Sequence, residues 1–290
     1  MAGRAETIGD ALRAASHRLR AAGIGSADLE AGLLLGRVTG FDRLGLLTRT
    51  ATELPESQWD ALTALLDRRE AHEPFQYLTG HQEFMSLDFA VGPDVLVPRP
   101  ETEHLVEAVL DLISDHEDPP GRWLLADVGT GSGAIAVSCA SYVHALEAVA
   151  TDVSEPALAI ARLNARQLGV ADRVEFRQGP GLEPLADRAG RLDFLVSNPP
   201  YIPTAQIADL DPEVRDWEPR LALDGGADGL TILRLLAAHG QDLLKPGGWL
   251  AVEVMAGQAG AVAELLARWH QVGTIRDLAG HERVVLARRP

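Results

Sequence analysis

The sequence predicts an α/β protein in which a small helical domain precedes a larger domain built on a mainly parallel sheet. Between residues 123 and 254, short apolar segments alternate with helical patterns, which is typical of repeated βαβ units. Two of these segments end in a glycine-rich turn or an acidic residue, whereas residues 1–73 show only helical periodicity. We therefore expect a helical domain at 1–73, a β-hairpin linker at 74–98 and the α/β domain at 99–290.

Length and composition bound the cellular context. The chain has 290 residues, 46% of them hydrophobic, which suffices for one large core and one small one. A single cysteine excludes a disulfide framework and favours a reducing compartment. No apolar run approaches the roughly 18 residues of a membrane span, and the first thirty residues lack an apolar signal core. We expect a cytoplasmic monomer with no membrane partner.

Charge and side-chain spacing exclude several classes of function. The 26 Lys and Arg against 42 Asp and Glu give a net charge of −16, which opposes non-specific binding to nucleic-acid phosphates and permits a basic partner. We expect no direct nucleic-acid contact. The nine histidines form no His-Glu-Xaa-Xaa-His pattern, so no metal is expected. No Ser-His-Asp or paired-carboxylate site is evident either.

The first domain is predicted from three apolar stripes at helical spacing, punctuated by glycines and by Pro55. Nothing in it indicates catalysis, so we interpret it as an interaction or substrate-recognition domain. The stripes are Ile8, Leu12, Ala15, Leu19 and Ala22; Leu29, Leu33, Leu34 and Val38; and Trp59, Leu62, Leu65 and Leu66.

The linker begins where Pro74 is predicted to end the helical part. Residues 77–97 mix β-formers with glycines, which indicates a β-hairpin. The block Pro98-Arg99-Pro100-Glu101-Thr102-Glu103 then provides a rigid helix start with acids at the helix N-terminus, where they suit the helix dipole. A helix with the stripe Leu105, Val106, Val109, Leu110 and Ile113 follows.

The first ligand-binding pattern is the apolar strand 123–128 followed by Gly129-Thr130-Gly131-Ser132-Gly133 and a helix of small residues. Backbone N–H groups at such a helix start can approach a ligand closely. The spacing also matches the dinucleotide fingerprint, so both NAD and S-adenosylmethionine remain open at this point.

One βα unit later, the strand 148–152 ends in Asp152, and Ser154 and Pro156 indicate the start of the next helix. A carboxylate in this position can accept hydrogen bonds from both hydroxyls of a ribose. The next strand, 173–178, ends in Gly179-Pro180-Gly181.

The segment 194–203 is the one around which the site is organised. It is an apolar strand that ends in Asn198-Pro199-Pro200-Tyr201. The prolines have no N–H, so Asn198 Oδ1 and nearby carbonyls form an acceptor-rich corner that suits a substrate –NH2 group. Hydrogen bonds from both N–H groups of the substrate to these acceptors favour a pyramidal, nucleophilic nitrogen. Tyr201 can stack on the planar group.

The C-terminal part predicts a helix at 230–244, a turn at 245–248 and a fifth strand at 249–254. A helix at 258–269 and two strands at 274–277 and 283–287 complete the chain. This order is similar to the S-adenosylmethionine-dependent methyltransferase fold, whose Rossmann-like sheet has seven strands with the last antiparallel. Asn-Pro-Pro-Tyr is the signature of methyltransferases that modify amino groups.

Over essentially the whole chain, the sequence resembles the bacterial peptide chain release factor glutamine methyltransferase family. The blocks that carry the resemblance are residues 76–80 with 83–84, 95–103, 127–135, 197–202, and 218–223 with 228–230. The blocks Pro-Arg-Pro-Glu-Thr-Glu and Glu-Pro-Arg separate this family from DNA adenine methyltransferases. One departure is the loop Gly179-Pro180-Gly181, where relatives usually place an acid; we expect backbone groups to contact the adenine there.

The resemblance implies methylation of the glutamine amide in the Gly-Gly-Gln loop of release factors, with S-adenosyl-L-methionine as cosubstrate. Ribosomal-protein glutamine methylation, DNA or RNA adenine methylation and a non-catalytic nucleotide-binding module remain alternatives. The implied catalytic residues are Asn198, Pro199 and Tyr201. The implied cofactor contacts are Gly129, Thr130, Gly131, Ser132, Gly133, Asp152, Gly181 and Asn198. The implied substrate contacts are Asn198, Pro199, Pro200, Tyr201 and Arg99.

Overall fold

A computed structural model describes residues 7–116 and 121–290. The first six residues of the predicted helical domain and residues 117–120 lie outside the described part. Two compact units are present, and the smaller one is discontinuous in sequence: it runs to Gly80 and also includes Pro212–Trp217. The larger unit contains His81–Asp211 and Glu218–Pro290.

The smaller unit is helical, as predicted, but its helices extend further along the chain. The prediction that helix ends at Pro74 is wrong, because a short helix follows that proline, ending at Gly80 in the left-handed conformation. The helices of this unit are α1 (Ile8–Ala21), α2 (Ala27–Thr39), α3 (Arg43–Thr48), α4 (Glu56–Glu70), α5 (Phe75–Thr79) and α9 (Pro212–Arg215).

The first and third predicted stripes are packed in the core of this unit, whereas the second is partly wrong. Leu29 and Leu33 are 58% and 49% exposed. At 100° per residue the two leucines lie on the face of α2 opposite its buried side. The buried residues of α2 are Ala27, Glu30, Ala31, Leu34 and Leu35.

A buried ion pair crosses the helical unit. The side chain of Arg69 is 5% exposed and lies 2.6 Å from Glu30 and 3.0 Å from Glu213. Nearby, Trp217 Nε1 donates to the Ala71 carbonyl at 3.0 Å. The segment Pro212–Trp217 is thus held in this unit by a buried charge and by a hydrogen bond.

The larger unit contains a seven-stranded sheet in the order β5-β4-β3-β6-β7-β9-β8, and β9 runs antiparallel to both of its neighbours. This confirms the prediction of seven strands with the last antiparallel. The strands are β3 (Trp123–Val128), β4 (Leu146–Asp152), β5 (Val174–Gln178), β6 (Leu192–Ser197), β7 (Leu244–Glu253), β8 (His270–Arg276) and β9 (Glu282–Arg288).

The predicted hairpin is confirmed as β1 (His81–Phe84) paired antiparallel with β2 (Leu87–Ala90), and it belongs to the larger unit. The helices of that unit are α6 (Pro100–Ser114), α7 (Ala134–Tyr142), α8 (Glu155–Gln167), α10 (Arg220–Leu223), α11 (Thr231–Leu243) and α12 (Ala259–Leu265), with 3₁₀ turns at Glu183–Arg188 and Thr204–Asp209.

Two predictions for the C-terminal part are corrected by the structure. Residues 245–248 do not form a separate turn but lie inside β7, where the pairing register with β6 shifts. The left-handed φ of 79° at Gly247 permits this irregularity. Helix α12 ends at Leu265 rather than Trp269, whose indole instead packs in the core and donates to the Ala237 carbonyl.

Candidate cofactor and substrate site

A cavity of about 380 Å³ opens at the carboxyl ends of β3, β4, β5 and β6. Because these four strands are parallel, the residues that follow them meet at one edge of the sheet, where α/β folds bind ligands. The volume lies within the usual range for small-molecule sites, roughly 300–1,000 Å³. The cavity is lined by the loop after each strand and by Asp94, Val95, Leu96, Pro98, Thr102, Pro219, Leu221 and Ala222.

The glycine-rich loop has the backbone that the sequence predicts. Gly129, Gly131 and Gly133 have φ values of 75°, 55° and 83°, in the left-handed region that favours glycine. A Cβ atom added at Gly129 or Gly131 meets nothing within 4 Å, so the backbone there is open to a ligand. At Gly133 it would lie 3.2 Å from Ala161 Cβ, so this glycine instead permits close packing of α7 on α8.

A buried carboxyl that sequence reasoning missed supports this loop. Asp127 is the last residue but one of β3 and is fully buried; its Oδ2 accepts from Thr130 Oγ1 at 2.6 Å and from the Ala136 N–H at 3.3 Å. Its Oδ1 has no hydrogen-bond partner among the described residues. Burial raises the pKa of Asp127 to about 7. The available signal was an acid that interrupts an apolar strand directly before the glycines.

Asp152 lies where predicted, lining the cavity at the end of β4. Its Oδ2 accepts from the Gly131 N–H and its Oδ1 from the Ser154 N–H, both at 2.9 Å. A carboxylate has about four lone-pair sites, so each oxygen can accept one further hydrogen bond. The side chain is therefore tied to the glycine loop and can still bind a pair of hydroxyls.

The loop after β5, Gly179-Pro180-Gly181, has a backbone that does not accommodate the acid usual at this position in relatives. Gly181 lines the cavity, and a Cβ added to it would lie 2.5 Å from Leu235 Cδ2. With φ values of 155° at Gly179 and 52° at Gly181, this backbone excludes ordinary side chains. What the loop presents to the cavity is backbone and the ring of Pro180.

The Asn-Pro-Pro-Tyr segment follows directly after β6. Ser197 Oγ donates to the Val128 carbonyl at 2.7 Å, which ties the end of β6 to β3. Asn198 Nδ2 donates to Thr102 Oγ1 at 3.0 Å, which fixes one of its two N–H groups and leaves Oδ1 as an acceptor for a ligand. Asn198, Pro199 and Pro200 line the cavity.

Tyr201 and Arg99 have protein partners. The Tyr201 hydroxyl donates to Glu253 Oε1 at 3.1 Å. Arg99 Nη2 donates to both carboxylate oxygens of the buried Glu218 at 2.8 Å. Direct contact of either side chain with substrate stays a prediction, and both side chains hold neighbouring segments in place.

Membrane-spanning helices and clustered metal ligands are both absent from residues 7–116 and 121–290, which the structure describes. No helix there has the length and apolar character needed to span a membrane. No group of three or more His, Cys, Asp or Glu side chains there is arranged to hold a metal ion.

Comparisons with known proteins match both units. A family model described as PrmC N-terminal domain matches residues 10–80, and one described as methyltransferase small domain matches residues 110–210. A release factor glutamine methyltransferase from Moorella thermoacetica is 48% identical over 98% of this chain and 99% of its own length. A protein of the same name from Geobacter sulfurreducens is 42% identical over 91% of this chain and 90% of its own.

A solved structure supports the fold. The crystal structure of a methyltransferase from Pyrococcus furiosus superposes with a TM-score of 0.52 at 19% identity, covering 71% of this chain and 90% of that one. At this identity the likeness concerns the fold alone, and it agrees with the seven-stranded sheet described above.

Proposed function

The chain belongs to the release factor glutamine methyltransferase family, and from this premise we propose how its residues perform that reaction. It is an S-adenosylmethionine-dependent enzyme that methylates the side-chain amide nitrogen of a release factor glutamine. The observation that carries the assignment is one cavity that brings together the glycine loop, Asp152 and the Asn198-Pro199 corner. The target is the glutamine of the Gly-Gly-Gln loop.

The glycine loop and Asp152 fit the cosubstrate. The open backbone at Gly129 and Gly131 admits a ligand close to the N–H groups at the start of α7, and Asp152 has acceptor capacity for ribose hydroxyls. Asp127 supports this loop from beneath, through its hydrogen bonds with Thr130 and the Ala136 N–H. Gly181 offers backbone groups for the adenine. When bound, S-adenosylmethionine supplies an electrophilic methyl group.

The Asn198-Pro199 corner holds the substrate amide. A glutamine amide is a poor nucleophile because its nitrogen lone pair is delocalised into the carbonyl. Asn198 Oδ1 and the Pro199 carbonyl accept hydrogen bonds from the two N–H groups, which favours pyramidal nitrogen and stabilises the positive charge that develops on it. The alkylated nitrogen is acidic, so water can take the proton and no strong general base is needed.

The helical unit is assigned to substrate recognition. None of its described residues lines the cavity, and its match to an N-terminal family domain covers nearly its full length. Binding to a release factor away from its target loop would use remote binding energy to position the reacting amide. We therefore assign release factors as the protein partners and the cytoplasm as the site of action, without direct nucleic-acid contact or a metal.

Mass spectrometry of purified candidate substrates, incubated with the protein and isotope-labelled S-adenosylmethionine, tests the function. A release factor should gain one labelled methyl group on the Gly-Gly-Gln glutamine, and a factor in which that glutamine is replaced by alanine should gain none. Purified ribosomal proteins and duplex DNA serve as competing substrates. Label on either of these and none on the release factor would overturn the proposal.

A further inference from the structure

A buried chain of hydrogen bonds connects Asn198 to a carboxyl group that the reaction as described does not use. Asn198 Nδ2 donates to Thr102 Oγ1 at 3.0 Å, and Thr102 Oγ1 donates to Glu253 Oε2 at 2.6 Å. The second oxygen of Glu253 accepts from the Tyr201 hydroxyl at 3.1 Å. Glu253 and Thr102 are 1% and 3% exposed, so water does not compete for the bond between them.

The direction of each bond follows from the charge on Glu253. An ionised carboxylate only accepts hydrogen bonds, so it orients the single hydroxyl proton of Thr102 toward itself. Thr102 Oγ1 then presents a lone pair to Asn198, and only the –NH2 end of the amide can satisfy it. Asn198 Oδ1 is consequently left for the cavity that Asn198 lines.

A protonated Glu253 removes this constraint. A neutral carboxylic acid can donate to Thr102, whose hydroxyl proton is then free to point at Asn198 and to favour its Oδ1. Asn198 would turn its –NH2 group toward the substrate –NH2, and two donors would face each other. The protonation state of Glu253 thus selects between an acceptor and a donor at the reacting nitrogen.

The surroundings of Glu253 allow both the protonated and the ionised carboxyl to form near neutral pH. Burial raises the pKa of Glu253 to about 7, with Glu101 on α6 acting in the same direction; the hydrogen bonds from Thr102 and Tyr201 and the positive charge of Arg283 on β9 oppose it. Arg283 is itself paired with Asp277 at 2.8 Å. Near neutral pH both states of the carboxyl are populated.

We propose that Thr102 and Glu253 form a positioning relay that holds the Asn198 amide in its acceptor orientation, and that protonation of Glu253 turns the relay off. This inference rests on the proposed role of Asn198 as the acceptor for the glutamine amide. Neither Thr102 nor Glu253 needs to touch the reacting atoms. Both act through the orientation of Asn198.

The first test compares Thr102→Val, which keeps the shape and removes the hydroxyl, with Thr102→Ser, which restores it. Thr102→Val should lower kcat for release factor methylation on the order of tenfold or more, as expected for loss of a preorganised contact. S-adenosylmethionine affinity should stay within about twofold, since binding of the cofactor does not depend on the amide orientation. Thr102→Ser should recover most of kcat.

The matched control is Ser138→Ala, which removes another buried hydroxyl of the larger unit, one without a hydrogen-bond partner in the described chain. It should leave kcat unchanged. Thermal unfolding of all three variants checks that they are folded. Wild-type kcat in folded Thr102→Val would overturn the relay.

The second test follows pH. Wild-type kcat should rise as the pH increases through the region around 7, because Glu253 loses its proton there. Glu253→Gln, which resembles the protonated state at every pH, should have low kcat and lack this rise. A Glu253→Gln enzyme that keeps the wild-type pH profile would also overturn the proposal. If Glu253→Gln does not fold, the profile of Thr102→Val, expected to be flattened in the same way, decides.

The variant Asn198→Ala distinguishes a wrong role for Asn198 from a wrong role for Thr102 and Glu253. If Asn198→Ala keeps most of its turnover while still binding cofactor, the proposed role of Asn198 is wrong, and the relay proposal, which depends on that role, is wrong as well. If it loses turnover on the order of a hundredfold while Thr102→Val does not, only the relay is wrong. Loss in both variants, with intact cofactor binding, supports both.

Discussion

Asp152→Ala should weaken S-adenosylmethionine binding by a predictable amount. In the folded protein each carboxylate oxygen already accepts one backbone N–H, from Gly131 and from Ser154, and has room for one ribose hydroxyl. A hydrogen bond to a charged group contributes about 1.5–3 kcal/mol, so losing one net contact should raise Kd by roughly 10- to 150-fold. Loosening of the glycine loop acts in the same direction.

Isothermal titration calorimetry with S-adenosylhomocysteine or S-adenosylmethionine measures the change directly. Glu155→Ala is the matched control, because Glu155 is an exposed acid on the same helix start and pairs with Arg162 at 2.6 Å. It should leave Kd within about twofold, since exposed charges contribute little. An Asp152→Ala protein that is folded and binds as tightly as wild type would show that Asp152 is only a helix-start residue.

Two further predictions concern stability. Gly229→Ala should destabilise the fold by more than the about 1–2 kcal/mol typical of left-handed strain, because the φ of Gly229 is 77° and the new Cβ would lie 2.2 Å from the Tyr201 carbonyl oxygen. The control is Gly280→Ala, where φ is 84° but a Cβ meets nothing within 4 Å, so it should lose about 1–2 kcal/mol only. Urea unfolding measures both changes. Burial raises the pKa of Asp127 and of Glu253 to about 7, so between about pH 4 and 7 the folded state binds more protons than the unfolded state, and this contribution to the free energy of unfolding falls as pH rises. Urea midpoints at about pH 5 and about pH 7.5 should show a smaller fall in Glu253→Gln than in wild type, and an equal fall would contradict the assignment.

The sequence could predict those parts of the fold and site that are determined by short, continuous segments of the chain. The strand before Gly129, the acid at Asp152 and the proline corner after Asn198 each combine an apolar run with a residue that stops it. Because parallel strands share one edge, knowing where each strand ends was enough to bring these residues together. The parallel strands followed from the same alternation, whereas the seven-stranded sheet with its antiparallel last strand was implied by the resemblance to the methyltransferase fold.

The parts that the sequence could not predict depend on contacts between distant residues. Thr102 and Asn198 are 96 positions apart, and Thr102 and Glu253 are 151 apart. Thr102 reads locally as part of a helix start, and Glu253 as the last residue of a strand. Only the packing of α6 against β7 brings them together, and no local pattern contains that information.

Helix α2 illustrates a different limit. Hydrophobicity alone favours Leu29 and Leu33 as core residues, but the buried face carries alanines and the charged Glu30. Glu30 is buried because Arg69, on α4, compensates its charge at 2.6 Å. The ion pair lets α2 bury a face other than the one that Leu29 and Leu33 predict, whereas α4 buries its predicted stripe.

The discontinuity of the helical unit constrains how this protein can be rearranged. Because Glu213 and Trp217 hold to Arg69 and Ala71, a fragment that stops at Gly80 lacks part of its own structure, and a chain that starts at His81 carries a segment without its partners. Transplanting the unit onto a relative requires three crossovers, after Gly80, Asp211 and Trp217, rather than one. Recombination at a single point between relatives would therefore separate six residues from the unit they complete, which couples the inheritance of both segments.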